Sequence, residues 1–558
     1  MRRTHHLTAS SAAALATLTL TTAALANGFE TPGNGTEQMA RGSAWLARAS
    51  DPLATFYNPA ALSRNGSGAS VTVNLFKANT CFQRQSPGGG PAYVGSGSQS
   101  TTYRYGKVCS DPELFPNPQI AFQYRVTDKL GIGVAVLGPS AIGKAKFPET
   151  AGGYRVSDGA SIKAPSGTRY VLTEKDAKII WPQFAVGYEI APNLRVGASF
   201  IWGVAMLKFG NVSMGQSSDT QKRNPDGTIR DSAGMDATAA VSAKDYFVPG
   251  IVLSSMYTLD DRFDFAAWFH WSDSVRAKGA ADITVVRSNP DVANPSGDKV
   301  ANKTPAGQTD ANVPQPMEAR VGVRYYKRRD GVTPTGRKDP LKEEVFDVEL
   351  DLEWAHDSQF TDLELRFAPN TVVNGPGITA DVPVNADVPH RWKDSYGARL
   401  GGDYVILPAK LAVRAGAWFQ TSAVREEYLH MDFVPSQRIG LTVGGTFRAG
   451  PVDIQAGYQH VMVGSVDNHG NGQIRGLVAG RTVTDSDQEF RSPYGVNGGK
   501  LTQSIDVFSI GGVYRFLRAP PATSGRRRAS SGTTARRTAD GTRRRRPAPD
   551  RPRRSSRA

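Results

Sequence analysis

From residue 68 to residue 516 the chain alternates apolar and polar residues in one segment after another, and the junctions between segments are alternately short and long. Successive strand residues point to opposite faces, so this period-two pattern gives each strand one apolar and one polar side. In 194–206, Leu194, Val196, Ala198, Phe200, Trp202, Val204 and Met206 share a side, against Arg195, Gly197, Ser199 and Gly203. In 438–448, Ile439, Leu441, Val443 and Phe447 oppose Arg438, Thr442, Thr446 and Arg448. The expected strands are 69–77, 117–127, 130–138, 177–190, 194–209, 244–259, 262–286, 316–328, 343–360, 391–406, 410–420, 436–449, 452–463 and 502–516. Tight turns at Thr127-Asp128-Lys129, Ala191-Pro192-Asn193, Asp260-Asp261, Leu407-Pro408 and Gly450-Pro451 would share one rim, and the long loops the other. An even strand number, about fourteen, with such unequal rims is the signature of an outer-membrane barrel, in which lipid takes the apolar side and a lumen the polar one. The fold class is therefore all-β, an antiparallel transmembrane β-barrel. Trp181, Trp202, Trp268, Trp271, Trp354, Trp392 and Trp418 fall in these segments and are candidates for interfacial girdles.

Composition agrees once it is divided along the chain. A hydrophobic content of 39% and a mean hydropathy of −0.37 exclude a bundle of membrane helices but not a barrel, whose strands need one apolar face each. The formal charge of +15 is uneven: residues 519–558 hold 13 Arg and two Asp, or +11, and Arg2 and Arg3 add +2, which leaves +2 for the rest. Arg2 and Arg3, the Ala-, Thr- and Leu-rich run to Leu25, and Ala24-Leu25-Ala26 read as a secretory signal over 1–26. The Arg-rich, aperiodic 517–558 reads as a disordered tail, and export makes nucleic acid an unexpected partner for it. The expected division is thus signal, an N-terminal segment 27–68, a barrel over 69–516 and the tail.

Residues 27–68 are the only mature stretch that reads as helical. Thr36 is a candidate cap for a first short helix, with Glu37 and Gln38 in its first turn and an apolar side of Met39, Ala40, Ala44, Leu46 and Ala47. Asp51 is a candidate cap for a second, with Pro52 at its first position. Pro59 limits that helix, which puts Asn58 at a break with its amide free to bond backbone. The run Asp51 to Leu62, with Asn58-Pro59-Ala60 at its centre, resembles the FadL/TodX outer-membrane long-chain fatty acid transporter family, with Ala61 where that family often has Gly. Pro316 to Val323 is similar to the family's P-x-E-x-x-x-G strand; Asp347–Phe360, Trp392–Tyr396 and Leu411–Ala417 follow its order, and His356–Phe360 departs from its Trp-Ser-x-Phe. The resemblance covers 27–516. It implies that 27–68 is a hatch plugging the lumen, with Asn58, Pro59 and Ala60 as hatch residues. It also implies passive uptake of long-chain fatty acids or similar hydrophobic compounds, and a lateral exit at a kinked third strand. Here that strand carries Gly131, Gly133, Gly138 and Pro139, in which Gly packs weakly and Pro removes a ladder donor. Leu114 and Phe115 suit capture of an apolar cargo, and Lys144 or Lys146 its carboxylate. Aromatic hydrocarbons, a general porin, and an outer-membrane enzyme or adhesin are the alternatives.

The chemistry-bearing residues point away from catalysis. Cys81 and Cys109 are the only cysteines, and one bridge in an exported loop is expected over two free thiols. His270, His356, His390, His430 and His460 are scattered, no two at metal-ligand spacing, so no metal and no cofactor is expected. Gly138 to Lys144 matches G-x-x-x-x-G-K, but Ala145 lacks the hydroxyl a phosphate loop needs next. Asp347, Glu349, Asp351 and Glu353 share one strand side, and Arg320, Arg324 and Arg399 lie on the same side of others; an ion-pair ladder lining a wet lumen is expected rather than an acid–base pair. The expected partners are outer-membrane lipid, a hydrophobic small molecule and the barrel assembly machinery.

Overall fold

The computed structural model describes residues 33–94, 102–111, 113–138, 143–215, 230–231, 236–286, 299–331, 339–375, 378–479 and 491–516. The signal, residues 27–32, Pro139 and the Arg-rich tail lie outside the described residues.

Fourteen strands close into an antiparallel barrel. In order they are β1 (Gly68–Arg84), β2 (Leu114–Arg125), β3 (Leu130–Leu137, resuming at Lys144–Lys146), β4 (Glu174–Ala191), β5 (Leu194–Gly215), β6 (Ala237–Thr258) and β7 (Phe263–Ser272 with Val275–Val286). Next come β8 (Thr309–Val313 with Glu318–Arg328), β9 (Glu344–Ala355 with Asp362–Phe367), β10 (Val388–Pro389 with Ser395–Leu407), β11 (Leu411–Gln420), β12 (Arg438–Ala449), β13 (Val452–Asp467) and β14 (Gly499–Arg515). Pairing of β1 with β14, from Gly68–Arg515 to Arg84–Gly499, closes the ring and leaves no free edge there. Several strands, β1, β4, β5, β6 and β13 among them, run beyond their expected ends at the long-loop rim. Lys144 opens a short strand, not the helix a phosphate loop requires.

The alternation sorts the wall as expected near the short-turn rim. Val196, Phe200 and Trp202 are exposed to the outside, and Arg195 and Ser199 are buried inside. Toward the long-loop rim the inward side of the same strand turns apolar, with Ile201, Ala205, Leu207 and Phe209 buried. Loop residues Tyr170, Val171, Leu172, Met431 and Phe433 pack against them. The inner surface is therefore polar in one half and greasy in the other.

The tryptophans correct the sequence reading. Trp181, Trp268 and Trp418 face inward and are buried, and Trp392 is buried in the segment before Ser395, outside a strand. Trp202 stays exposed on the outside, and the exposed aromatics next to the short turns include Tyr124, Tyr188, Tyr257, Tyr404 and Tyr514. A tyrosine sits well at a membrane interface, with its ring in the apolar layer and its hydroxyl in the headgroups.

Candidate functional site

The hatch fills the polar half of the lumen, and nearly every residue from Gly33 to Asn65 is buried. It is less helical than its sequence suggests: α1 spans Thr36–Ala40, α2 spans Ala54–Tyr57, and Pro59 opens a 3₁₀ turn to Ser63. Thr36 is not a cap. Its hydroxyl bonds Ser509 Oγ at 2.7 Å, and Gly35, at φ 90°, precedes the helix and donates its N–H to Gln119 Oε1. The wall has taken the polar groups that an isolated helix would have used locally. Asp51 does act locally: it accepts the Leu53 N–H at 2.8 Å and the Gln38 amide at 2.9 Å. Its carboxyl is pushed up to about 7, first by burial and then by the nearby Glu37 carboxylate. Burial also works to raise Glu37, but the guanidiniums of Arg414 and Arg48 outweigh it and hold that carboxyl below the usual range.

Asn58, Pro59 and Ala60 lie together at the centre of the hatch. Asn58 Nδ2 donates to the Leu46 carbonyl at 2.8 Å and joins the two halves of the segment. The Ala60 N–H donates to Ser254 Oγ at 3.0 Å. Pro59 and Ala60 rest on a glycine row that runs across three neighbouring strands, in which Gly187 pairs with both Gly131 and Gly197. A Cβ on Gly187 would sit 2.2 Å from the Pro59 carbonyl oxygen, and one on Gly131 would sit 2.1 Å from that of Leu62. A second pair, Gly401 and Gly416, lies under Arg41. Only glycine lets two backbones approach so closely. Gly131 and Gly133 thus serve as a seat for the hatch, a role that their reading as weak strand residues does not contain.

The carboxylate ladder forms, but not along a wet lumen. Asp347, Glu349, Asp351 and Glu353 are all buried, because the hatch lies on them. Arg41 reaches Asp347 at 2.9 Å and Asp403 at 2.6 Å. Arg48 reaches Glu37 at 2.7 Å, Asp403 at 2.9 Å and Asp347 at 3.1 Å. The backbone takes the rest of the ladder: Trp45 and Leu46 N–H groups donate to Asp351, and those of Ala47 and Arg48 to Glu349. Arg324 and Arg320 pair with Asp347 and Glu353 within the wall. Two hatch arginines and a turn of hatch backbone therefore engage two neighbouring strands of the barrel, β9 and β10. On the other side Phe56 enters an aromatic box, with ring centres 5.6 Å from Trp181 and Trp268.

Among the described residues, the ladder between β3 and β4 runs from Leu130–Tyr188 to Leu137–Trp181 and is described again at Lys144–Asp176, with residues 139–142 between them outside the described residues. On the other flank the β2 ladder to β3 ends at Ile120–Val136. Between them lies a cleft of about 390 Å³ lined by Leu114, Phe115, Pro116, Asn117, Pro118, Val136, Leu137, Gly138, Lys144, Asp176, Lys178, Ile179 and Ile180. Leu114, Val136 and Ile180 are exposed on the outside, while Asn117, Leu137 and Ile179 are buried on the inside. The cleft thus has lining residues from both faces of the wall. Proline cannot donate to a ladder, and Pro116 and Pro118 fall on β2 beyond the last described β2–β3 pair, Ile120–Val136. Leu114, Phe115, Gly138 and Lys144 meet here, and Lys146 is absent from the lining. Lys144 is paired with Glu113 at 2.5 Å, and Lys178 with Asp176 at 2.7 Å. Cys81 and Cys109 are disulfide-bonded where β1 meets the loop before β2, as the lone pair suggested.

Solved structures of the same architecture share little sequence with this chain. A Pseudomonas aeruginosa FadL homologue matches with TM-score 0.59 and 16% identity, over 88% of this chain and 100% of that one. The P. putida toluene transporter TodX matches with TM-score 0.55 and 12% identity, over 88% and 100%. The Ralstonia pickettii toluene transporter TbuX matches with TM-score 0.51 and 15% identity, over 87% and 99%. No curated protein matches significantly. Residues 17–489, most of the chain, match the family described as outer membrane protein transport protein (OMPP1/FadL/TodX). With its closed fourteen-stranded wall and filled lumen, the chain belongs to this family of outer-membrane transport proteins.

Proposed function

We propose that this protein takes up long-chain fatty acids or similar hydrophobic compounds passively, that the hatch closes the axial route, and that cargo leaves sideways through the cleft at the end of β3. The observation that carries this reading is the position of the cleft, apolar and open to the lipid side, beside a lumen that is greasy above and blocked below. Leu114 and Phe115 offer apolar contact, and Gly138 keeps the end of β3 narrow. Asn58, Pro59 and Ala60 hold the hatch shut. The protein acts as a conduit and not as an enzyme. A second reading, uptake of neutral aromatic hydrocarbons, is favoured by the two lysines of the cleft. Both already face carboxylates, so a carboxylate cargo must displace Glu113 or Asp176, whereas a neutral one displaces nothing.

The test is uptake of a radiolabelled long-chain fatty acid, and separately of toluene, by cells lacking their own importers. Val136→Trp fills the outer mouth of the cleft from a lipid-facing position and leaves the hatch intact. Either cargo should enter with the unaltered protein and slow with Val136→Trp. Entry of fatty acid alone selects the first reading and of toluene alone the second. Unchanged rates with Val136→Trp inserted in the membrane would remove the lateral exit.

A further inference from the structure

Two histidines that lie 40 residues apart in sequence meet in the loops of the long-loop rim. His390 lies between the two parts of β10, and His430 and Asp432 belong to the segment joining β11 to β12. All three are buried, His390 and Asp432 completely, among Phe360, Trp392 and Phe433. His390 Nε2 stands 3.0 Å from both carboxylate oxygens of Asp432, and His430 Nδ1 stands 2.6 Å from one of them. Their ligand-type atoms all fall within 4.8 Å of one another.

The hydrogen bonds around these rings say where the lone pairs are. His390 Nδ1 is 2.9 Å from the Val388 carbonyl oxygen, which can only accept, so Nδ1 carries the proton and the neutral ring presents Nε2 as a lone pair. His430 Nδ1 lies 3.3 Å from the Asp432 backbone nitrogen and 2.6 Å from its carboxylate, so the same nitrogen either accepts from the first or gives a proton to the second. Two ring nitrogens and a carboxylate thus converge in a dry aromatic setting, where ring protons, or a metal ion that displaces them, must lie between them. A backbone carbonyl holding the far nitrogen of a ligating imidazole is the usual outer support of a metal site. Lys175 does not fill the need, because its ammonium bonds the main-chain oxygen of Asp432 at 2.5 Å.

We propose that His390 Nε2, His430 Nδ1 and the Asp432 carboxylate bind one divalent transition-metal ion of the zinc class, which fastens the 421–437 segment to β10 above the lumen. Two imidazoles and one carboxylate suit zinc in preference to calcium or magnesium, which take oxygen ligands. A four-coordinate ion on three protein ligands keeps one position for water. The site is separate from the hatch and the wall cleft, and its test does not depend on transport.

The experiment uses the full-length protein in detergent, stripped with a chelator, dialysed against Zn²⁺ at neutral pH and washed. Zinc is then counted per chain by elemental analysis, and Co²⁺ is added in parallel for its visible absorption. The variants are the double His390→Gln/His430→Gln and, as a control at a part-exposed histidine, His356→Gln. The unaltered protein and His356→Gln should each retain about one zinc per chain and show tetrahedral cobalt bands, and the double variant should retain less than about a tenth of that. The proposal is overturned if the unaltered protein retains no zinc and shows no cobalt bands. It is equally overturned if the double variant retains as much as the unaltered protein, since the exposed histidines then account for the metal. The measurement on the unaltered protein stands even if the double variant fails to fold.

Discussion

Arg41→Ala is the sharpest probe of how the hatch is held. The guanidinium is fully buried, with Nη1 on Asp347 at 2.9 Å and on Asp403 at 2.6 Å, and Nη2 on Asp347 at 3.1 Å. Removing one partner from a buried ion pair costs about 3–5 kcal/mol, because the abandoned charge stays in a poorly solvated place. Arg48 and Arg324 remain on Asp347, and Arg48 and Arg414 on Asp403, so the lower end applies. About 3 kcal/mol corresponds to a little over a hundredfold in the population of undocked hatch. The assay is hydrogen exchange of the 33–65 amides in detergent or nanodiscs, followed by mass spectrometry. Exchange of Trp45 to Arg48, whose N–H groups sit on Glu349 and Asp351, should accelerate most. Lipid-facing Leu350→Ala on the same strand should leave the hatch as it was. Arg41→Ala exchange within twofold of the unaltered protein would falsify the view that this network holds the hatch.

Gly187→Ala and Gly416→Ala place a Cβ 2.2 Å from hatch backbone, at the Pro59 carbonyl oxygen and the Arg41 carbonyl carbon. Each should loosen the hatch by about 1–3 kcal/mol and raise single-channel conductance in planar bilayers, while Gly152→Ala, with open space around it, should do neither. The Asp51 carboxyl is raised in the folded state, so its stabilising share is complete below its unfolded value near 4 and is lost as pH climbs through about 7. Asp51→Asn should flatten that part of the pH dependence of hatch exchange between pH 4 and 8; an unchanged slope would assign it to another group. Reduction of the Cys81–Cys109 bridge, which spans 28 residues, should lower the stability of the segment it closes by about 3–4 kcal/mol on the loop-entropy model, read as faster proteolysis of residues 85–113 with the barrel intact.

The parts of this protein that were legible in its sequence are those decided locally. Alternation in 194–206 and 438–448 located strands and faces, and the tight turns located one rim. Asp51 and Asn58 behave as their neighbours suggest. What was not legible depends on contacts across hundreds of residues. Thr36 looks like a helix cap until Ser509 is beside it, and the carboxylates of β9 look like a solvated ladder until Arg41, 306 positions earlier, lies on them. Trp181 and Trp268 look like girdle residues by type alone; their register puts them on the inward side, where they pack on Phe56. The pairing of His390 with His430 has no spacing signal at all, since a loop and a strand extension bring them together. The prolines of β2, Pro116 and Pro118, acquire meaning only once β2 and β3 are neighbours.

The ladder under the hatch has one more consequence, for ions. With the hatch in place, its Arg41 and Arg48 share the wall acids Asp347 and Asp403 with the wall's own Arg324 and Arg414, and Arg41 reaches Glu349. A barrel deprived of residues 33–65 would keep those acids, together with Asp351, whose partners are hatch N–H groups. Its lower lumen would then be open to water with two fewer positive charges against those acids, leaving the wall's own Arg320, Arg324, Arg399 and Arg414 to face them. Such a pore would select for cations, and its reversal potential in a salt gradient would report the missing arginines directly.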